Sequence, residues 1–121
     1  MATAPRSPKA GLSLSEVAEV TGVSPRQIIY LREKGVVVPA LESAGRGHEC
    51  LYSVEETVEV FVAVHLLAFL DYAGKARVVH LLTSAPHFPV RLSESFQLVA
   101  NDPIATTELI ATVREKAKER L

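Results

Sequence analysis

Ser24-Pro25-Arg26-Gln27-Ile28-Ile29-Tyr30-Leu31-Arg32-Glu33-Lys34-Gly35 reads as one short helix with both ends marked. Ser24 suits the N-cap, Pro25 suits the first helical position, and Gln27 completes an S-x-x-Q capping box. Gly35 can take the left-handed conformation that closes a helix, with Lys34 favourably placed in the last turn. At about 3.6 residues per turn, Ile28, Leu31 and Gly35 share one side, while Arg26, Gln27, Tyr30 and Lys34 share the other. An apolar back with a cationic, amide and phenolic front suits a helix that sits on a small core and reaches into a DNA groove. A solvated face on an ordinary amphipathic helix carries the same pattern, and this helix alone does not separate the two.

The residues upstream add a second element. Thr21-Gly22-Val23 is too short for a linker, and Gly22 permits a sharp turn between crossing helices. Before it, Ser13-Leu14-Ser15-Glu16 is another capping box, followed by Val17, Ala18 and Val20 as buried positions. A capped helix, a short glycine turn and a second capped helix predict a helix-turn-helix.

A chain of 121 residues has room for one small domain, or a domain with an appendage. Its net charge of −1 gives no overall basicity, so any DNA-binding surface must gather its positive charge on one side. Cys50 is the single cysteine, which excludes an intramolecular disulfide and fits a reducing cytosol. Residues 1–11, with Pro5 and Pro8 among small and cationic side chains, read as a flexible tail without a signal-peptide core. The apolar run over residues 60–70 is interrupted by His65 and falls short of the roughly 17–25 residues that span a bilayer. A soluble, cytoplasmic protein is expected.

After Gly35, Val36-Val37-Val38 could pair briefly as a strand that Pro39 limits. Residues 44–52, with Gly45 and Gly47 near a turn, predict a β-hairpin wing whose tip carries Arg46 and His48. Ser53-Val54-Glu55-Glu56 is a third capping box, opening a helix expected to run to about Ala73, with Gly74 as its stop. Glu55, Glu56 and Glu59 fall in its first turns, where the helix dipole favours them. Its apolar residues do not keep to one face, and a helix apolar all round must be covered all round. Either a subunit or partner covers it, or the C-terminal segment folds back over it. Residues 75–82 predict one or two helical turns with Val78, Val79, Leu81 and Leu82 inward, and Pro86 and Pro89 mark a break. Val90, Leu92, Phe96 and Leu98 fit a strand or a helix opening at Ser93, and spacing does not decide between them. Asp102-Pro103 starts a final helix with a stripe of Ile104, Leu109, Ile110, Val113, Ala117 and Leu121.

Residues 12–82 resemble the DNA-binding domain of the MerR family of bacterial transcription regulators. The matching residues are Leu14-Ser-Glu-Val-Ala18, Thr21-Gly-Val-Ser-Pro-Arg26, Tyr30, Lys34-Gly35, Pro39, Tyr52-Ser53, Glu55-Glu56 and Gly74. The resemblance implies a mainly α fold: a winged helix-turn-helix with a small β-wing, plus a C-terminal helix. It also implies a homodimer on an inverted repeat of double-stranded DNA, with Arg26 and Tyr30 reaching DNA from the second helix and Arg46 from the wing. Departures from the family pattern thin the cationic surface. Ile29 stands where the family usually places an arginine, Leu31 where it has a tyrosine, Arg32 where it has a glutamate, and Cys50 at another arginine position. Phosphate neutralisation supplies much of protein–DNA affinity, so these losses weaken it unless Arg32 and Lys34 compensate.

Enzymatic and metal chemistry find little support. His48 and Cys50 form an H-x-C pair and His65, His80 and His87 are scattered, so no four-ligand zinc set emerges and no cofactor is expected. His65 reads as a hydrogen-bonded buried or interface histidine, which would make an interface sensitive to acid. Ser93 and Cys50 lack a marked base and oxyanion donors. The expected function is a dimeric DNA-binding regulator without a built-in effector domain, organised as a tail (1–11), a winged domain (12–82) and a dimerisation or partner-binding segment (83–121). Ser24, Arg26, Gln27 and Tyr30 would approach DNA, with Arg32, Lys34, Arg46 and His48 near the backbone. Phe61, Leu66, Phe69, Leu70, Leu109, Ile110 and Val113 would join subunits or hold a partner. The second reading is a protein-binding module on the same scaffold, such as the antitoxin of a toxin–antitoxin pair.

Overall fold

The computed structural model describes residues 10–42, 50–84 and 87–121. Its elements are α1 (Leu14–Thr21), α2 (Pro25–Glu33), β1 (Leu41–Glu42), β2 (Cys50–Leu51), α3 (Val54–Phe61) running into a π-helical segment (Val62–Leu66), α4 (Tyr72–Ser84), β3 (Val90–Arg91), β4 (Gln97–Leu98) and α5 (Pro103–Glu119). The fold is mainly helical with two small antiparallel strand pairs.

The helix ends are formed by the side chains the sequence marks. Ser13 Oγ accepts from the Glu16 N–H while Glu16 Oε1 accepts from the Ser13 N–H, and Ser53 and Glu56 repeat the pattern on α3. At Ser24 the box is one-sided: Ser24 Oγ accepts from the Gln27 N–H at 3.2 Å, but the Gln27 side chain meets Ser24 Oγ at 3.5 Å. Gly22, at φ 71°, ends α1 in the left-handed region. The turn that follows is tied by Thr21, whose hydroxyl donates to the Val17 carbonyl at 2.7 Å and accepts from the Val23 N–H at 3.2 Å. The end of α2 is a Schellman closure around Gly35 (φ 73°), with Val36 N–H donating to the Leu31 carbonyl at 2.9 Å and Gly35 N–H to Arg32 at 3.1 Å.

Several boundaries differ from the sequence expectation. Val36 and Val37 do not form a strand; they are buried beneath the closure of α2, and pairing begins at Leu41, with Leu41 opposite Leu51 and Glu42 opposite Cys50. The hairpin tip, with Arg46 and His48, lies outside the described residues. Gly11 is not part of a free tail. It is buried at the bridge where Leu12 and Tyr52 exchange backbone hydrogen bonds of 2.7 and 2.8 Å, and a Cβ there would stand 2.7 Å from the Tyr52 carbonyl oxygen.

The third helix is shorter than its hydropathy suggests. After Phe61 it loosens into the π segment, and the chain bends between Leu67 and Asp71. Gly74 is not its stop but part of the first turn of α4, where its N–H donates to Asp71 Oδ1 at 2.7 Å. Local side-chain capping by Asp71 wins over apolar continuity. On α4, Val78, Val79 and Leu82 face inward as expected, but Leu81 is exposed. Residues 90–98 resolve as a hairpin, with Val90 opposite Leu98 and Ser93 Oγ accepting from the Ser95 and Phe96 N–H groups in the turn.

The apolar third helix is covered from within the chain. α5 folds back along α3 and α1, inserting Ile110, Val113 and Ala117 into the same core as Val58, Val60, Val62 and Ala63. Ile110 and Val113 are therefore core residues of this chain, and α5 shares that core with α1 and α3. A helix of about 25 Å at 1.5 Å per residue is long enough to span both partners. Arg114 fixes it, pairing bidentately with Glu55 at 2.8 and 3.1 Å and donating to the Thr83 carbonyl at 3.0 Å. Arg120 adds a 2.7 Å ion pair to Glu19 of α1. Ile104, Leu109 and Leu121 of the expected stripe are exposed.

Candidate nucleic-acid interface

α2 is held by its apolar back. Ile28 and Leu31 are buried, while Arg26, Gln27, Tyr30, Arg32 and Lys34 are exposed. This separation follows from the helical period: the residues that anchor the helix are not those that face solvent. Ser24 Oγ is occupied as the cap acceptor of Gln27, which orients the first turn rather than leaving the hydroxyl for a ligand. Arg32 reaches from α2 to the wing, its Nη1 3.8 Å from Cys50 Sγ.

The structure adds side chains that sequence reading missed. Tyr72, in the first turn of α4, stacks with Tyr30 at a centroid distance of 6.4 Å and an interplanar angle of 15°. Two ammonium groups flank the Tyr72 ring, Lys34 Nζ at 5.8 Å and Lys75 Nζ at 5.5 Å from its centroid, close enough for cation–π attraction. Arg26, Tyr30, Tyr72 and Lys75 thus line one cleft together with Ser24 and Gln27, with Leu31, Val64 and Ala68 as its apolar lining. The signal that could have found Tyr72 and Lys75 is Asp71, a helix-starting residue hidden by the apolar run before it. This face gathers three cations, Arg26, Lys34 and Lys75, on a chain whose net charge is −1.

Other polar groups serve the scaffold. His65 is exposed rather than buried, and its Nε2 lies 2.9 Å from the Thr21 carbonyl, joining the π segment to the end of α1. This position therefore does not hold a buried histidine. Burial pushes the Tyr52 phenol above its usual range against the opposing pull of Arg32, and its hydroxyl has no hydrogen-bond partner among the described residues. Among those residues no group of three or more His, Cys, Asp or Glu side chains could hold a metal ion, and no helix is long and apolar enough to cross a membrane. Of the residues expected to join subunits, Phe69 and Leu109 are exposed, whereas Phe61, Leu66 and Leu70 are half-buried against the core.

Two crossing capped helices, a paired wing stem and a polar face on the second helix define a helix-turn-helix DNA-binding domain. The family model described as MerR HTH family regulatory protein matches residues 12–73, half of the chain. The chain belongs to this family, and with it to the DNA-binding regulators of transcription. No curated protein matches it.

Proposed function

We propose that the chain regulates transcription as a homodimer bound to an inverted-repeat operator. Arg26, Gln27 and Tyr30 read base edges in the major groove, and Lys34, Arg32, Lys75 and the Tyr72 hydroxyl hold phosphates beside them. Arg46 and His48 approach the backbone from the wing. The observation that carries this reading is the exposed polar face of α2, presented by a helix whose opposite face is fully committed to the core. Lys75 goes some way to replacing the cationic groups lost at Ile29 and Cys50, because it stands over the Tyr72 ring that stacks on the same face. The test is fluorescence anisotropy with DNA from upstream of the gene, titrated over salt and against scrambled competitor. Specific binding whose log affinity falls with log salt supports the reading; binding abolished by competitor defeats it.

A second reading, a protein-binding module of antitoxin type, draws on a different surface. Phe69, Val99 and Ile104 are 68%, 65% and 74% exposed around apolar grooves lined by Leu66, Phe88 and Leu98. Exposed apolar surface of this kind favours association. A lone chain that sediments as a well-behaved dimer and binds its operator favours the first reading; a monomer that aggregates through this surface favours the second.

A further inference from the structure

The cleft between α2 and the corner joining the π segment to α4 has features that phosphate contact does not require. Its volume is about 380 Å³, at the small end of ligand pockets. Its apolar lining is hydrocarbon from Leu31, Val64 and Ala68, beside the Tyr30 and Tyr72 rings. A sugar–phosphate backbone gains little from such a lining, whereas a flat apolar ring gains both burial and aromatic contact. The rim is cationic, with Arg26 on α2 and Lys75 on α4, and the positive end of the α2 dipole opens beside it at Ser24.

We propose that this cleft binds a small planar aromatic carboxylate, and that its occupation excludes DNA. The ring lies against the apolar lining and the tyrosines; the carboxylate meets Lys75 or Arg26. Exclusion rests on the DNA-binding reading above, because the ligand takes the same cations that would hold DNA; binding itself does not. The ligand is an anion with a carbon face, a combination that matches the apolar lining and cationic rim together, where a simple inorganic anion would leave the lining wet.

The test uses 2-naphthoate and the full chain. The chain has three tyrosines and no tryptophan, so intrinsic emission reports on a set in which two members stand at the cleft. Calorimetry should give saturable one-site binding accompanied by a change in tyrosine emission. Ala68→Trp, which fills the cleft from an exposed position, should weaken binding about tenfold or more, and Lys75→Gln about three- to tenfold, with circular dichroism unchanged. No saturable binding, or binding equal in the wild type and both variants, overturns the site. With operator DNA present, 2-naphthoate should raise the apparent DNA dissociation constant competitively; an unchanged DNA affinity at saturating 2-naphthoate overturns exclusion. If 2-naphthoate binds but no DNA does, the regulator reading and exclusion both fall while the ligand site stands.

Discussion

Gly11 shows how one missing Cβ shapes the wing. The backbone of Tyr52 crosses so close that an added methyl group would stand 2.7 Å from its carbonyl oxygen, and backbone cannot rotate out of the way as a long side chain could. Gly11→Ala is expected to destabilise the fold by about 1–3 kcal/mol, as overpacking against fixed atoms does, read as a lower midpoint in urea. Tyr52 itself keeps a buried hydroxyl without a partner among the described residues. Tyr52→Phe removes that group while keeping the ring, so stability should hold or rise by up to about 1 kcal/mol; a clear loss would mean the hydroxyl is bonded after all. Arg26 is exposed on α2. Arg26→Ala should leave the thermal midpoint within about 2–3 °C, as an exposed substitution does, and cost about 1–3 kcal/mol of DNA affinity if it reads a base. Unchanged affinity in anisotropy would remove that contact.

The elements are held by two kinds of contact between α3, α4 and α5. One is apolar: Ile110 and Ala117 are fully buried in the core that α5 shares with α3 and α1. Ile110→Ala should therefore cost about 2–5 kcal/mol, the range for emptying a core position, measured by denaturant unfolding. The other is polar. Glu59 of α3 lies 3.5 Å from His80 of α4, yet burial outweighs that partner and raises the Glu59 carboxyl above its ordinary range. A raised carboxyl means that the folded chain binds more protons than the unfolded one, so stability falls as pH climbs from the ordinary carboxylate range through the raised value. Below that window the penalty is absent. Glu59→Gln should accordingly raise the thermal midpoint at neutral pH relative to the wild type, with the gap closing in acid. A lower midpoint for the variant at neutral pH would show instead that attraction to His80, not burial, governs the carboxyl.

For the whole molecule, the balance of charge matters more than its sum. A net charge of −1 predicts weak nonspecific attraction to DNA, so on the proposed reading binding depends on local groups such as Arg26, Lys34 and Lys75. If Lys75 holds a phosphate, Lys75→Gln should reduce the slope of log affinity against log salt by about one, uniformly across DNA sequences. The exposed Phe69, Val99 and Ile104 lie on the C-terminal half, and analytical ultracentrifugation of the Phe69→Glu variant would show whether this surface supports self-association. A dimer that survives the change is held elsewhere.

Local chemistry made much of this legible. Ser13, Ser24, Ser53 and Asp102 each cap the helix that they precede in sequence, and Gly22 and Gly35 each close one, because these bonds span no more than a few residues. The polar face of α2 was readable for the same reason: its period is set by the helix alone. The corner at Asp71 was hidden because an apolar run masks a cap, and with it Tyr72 and Lys75 were missed at the cleft. What covers the third helix was not a local matter. Its all-round apolar character required a cover, but a second subunit and a returning α5 satisfy that requirement equally in the sequence. Only the tertiary structure decides, since Ile110, Val113, Arg114 and Arg120 meet partners more than fifty residues away or on other helices, and burial is set by the whole packed arrangement rather than by neighbours along the chain.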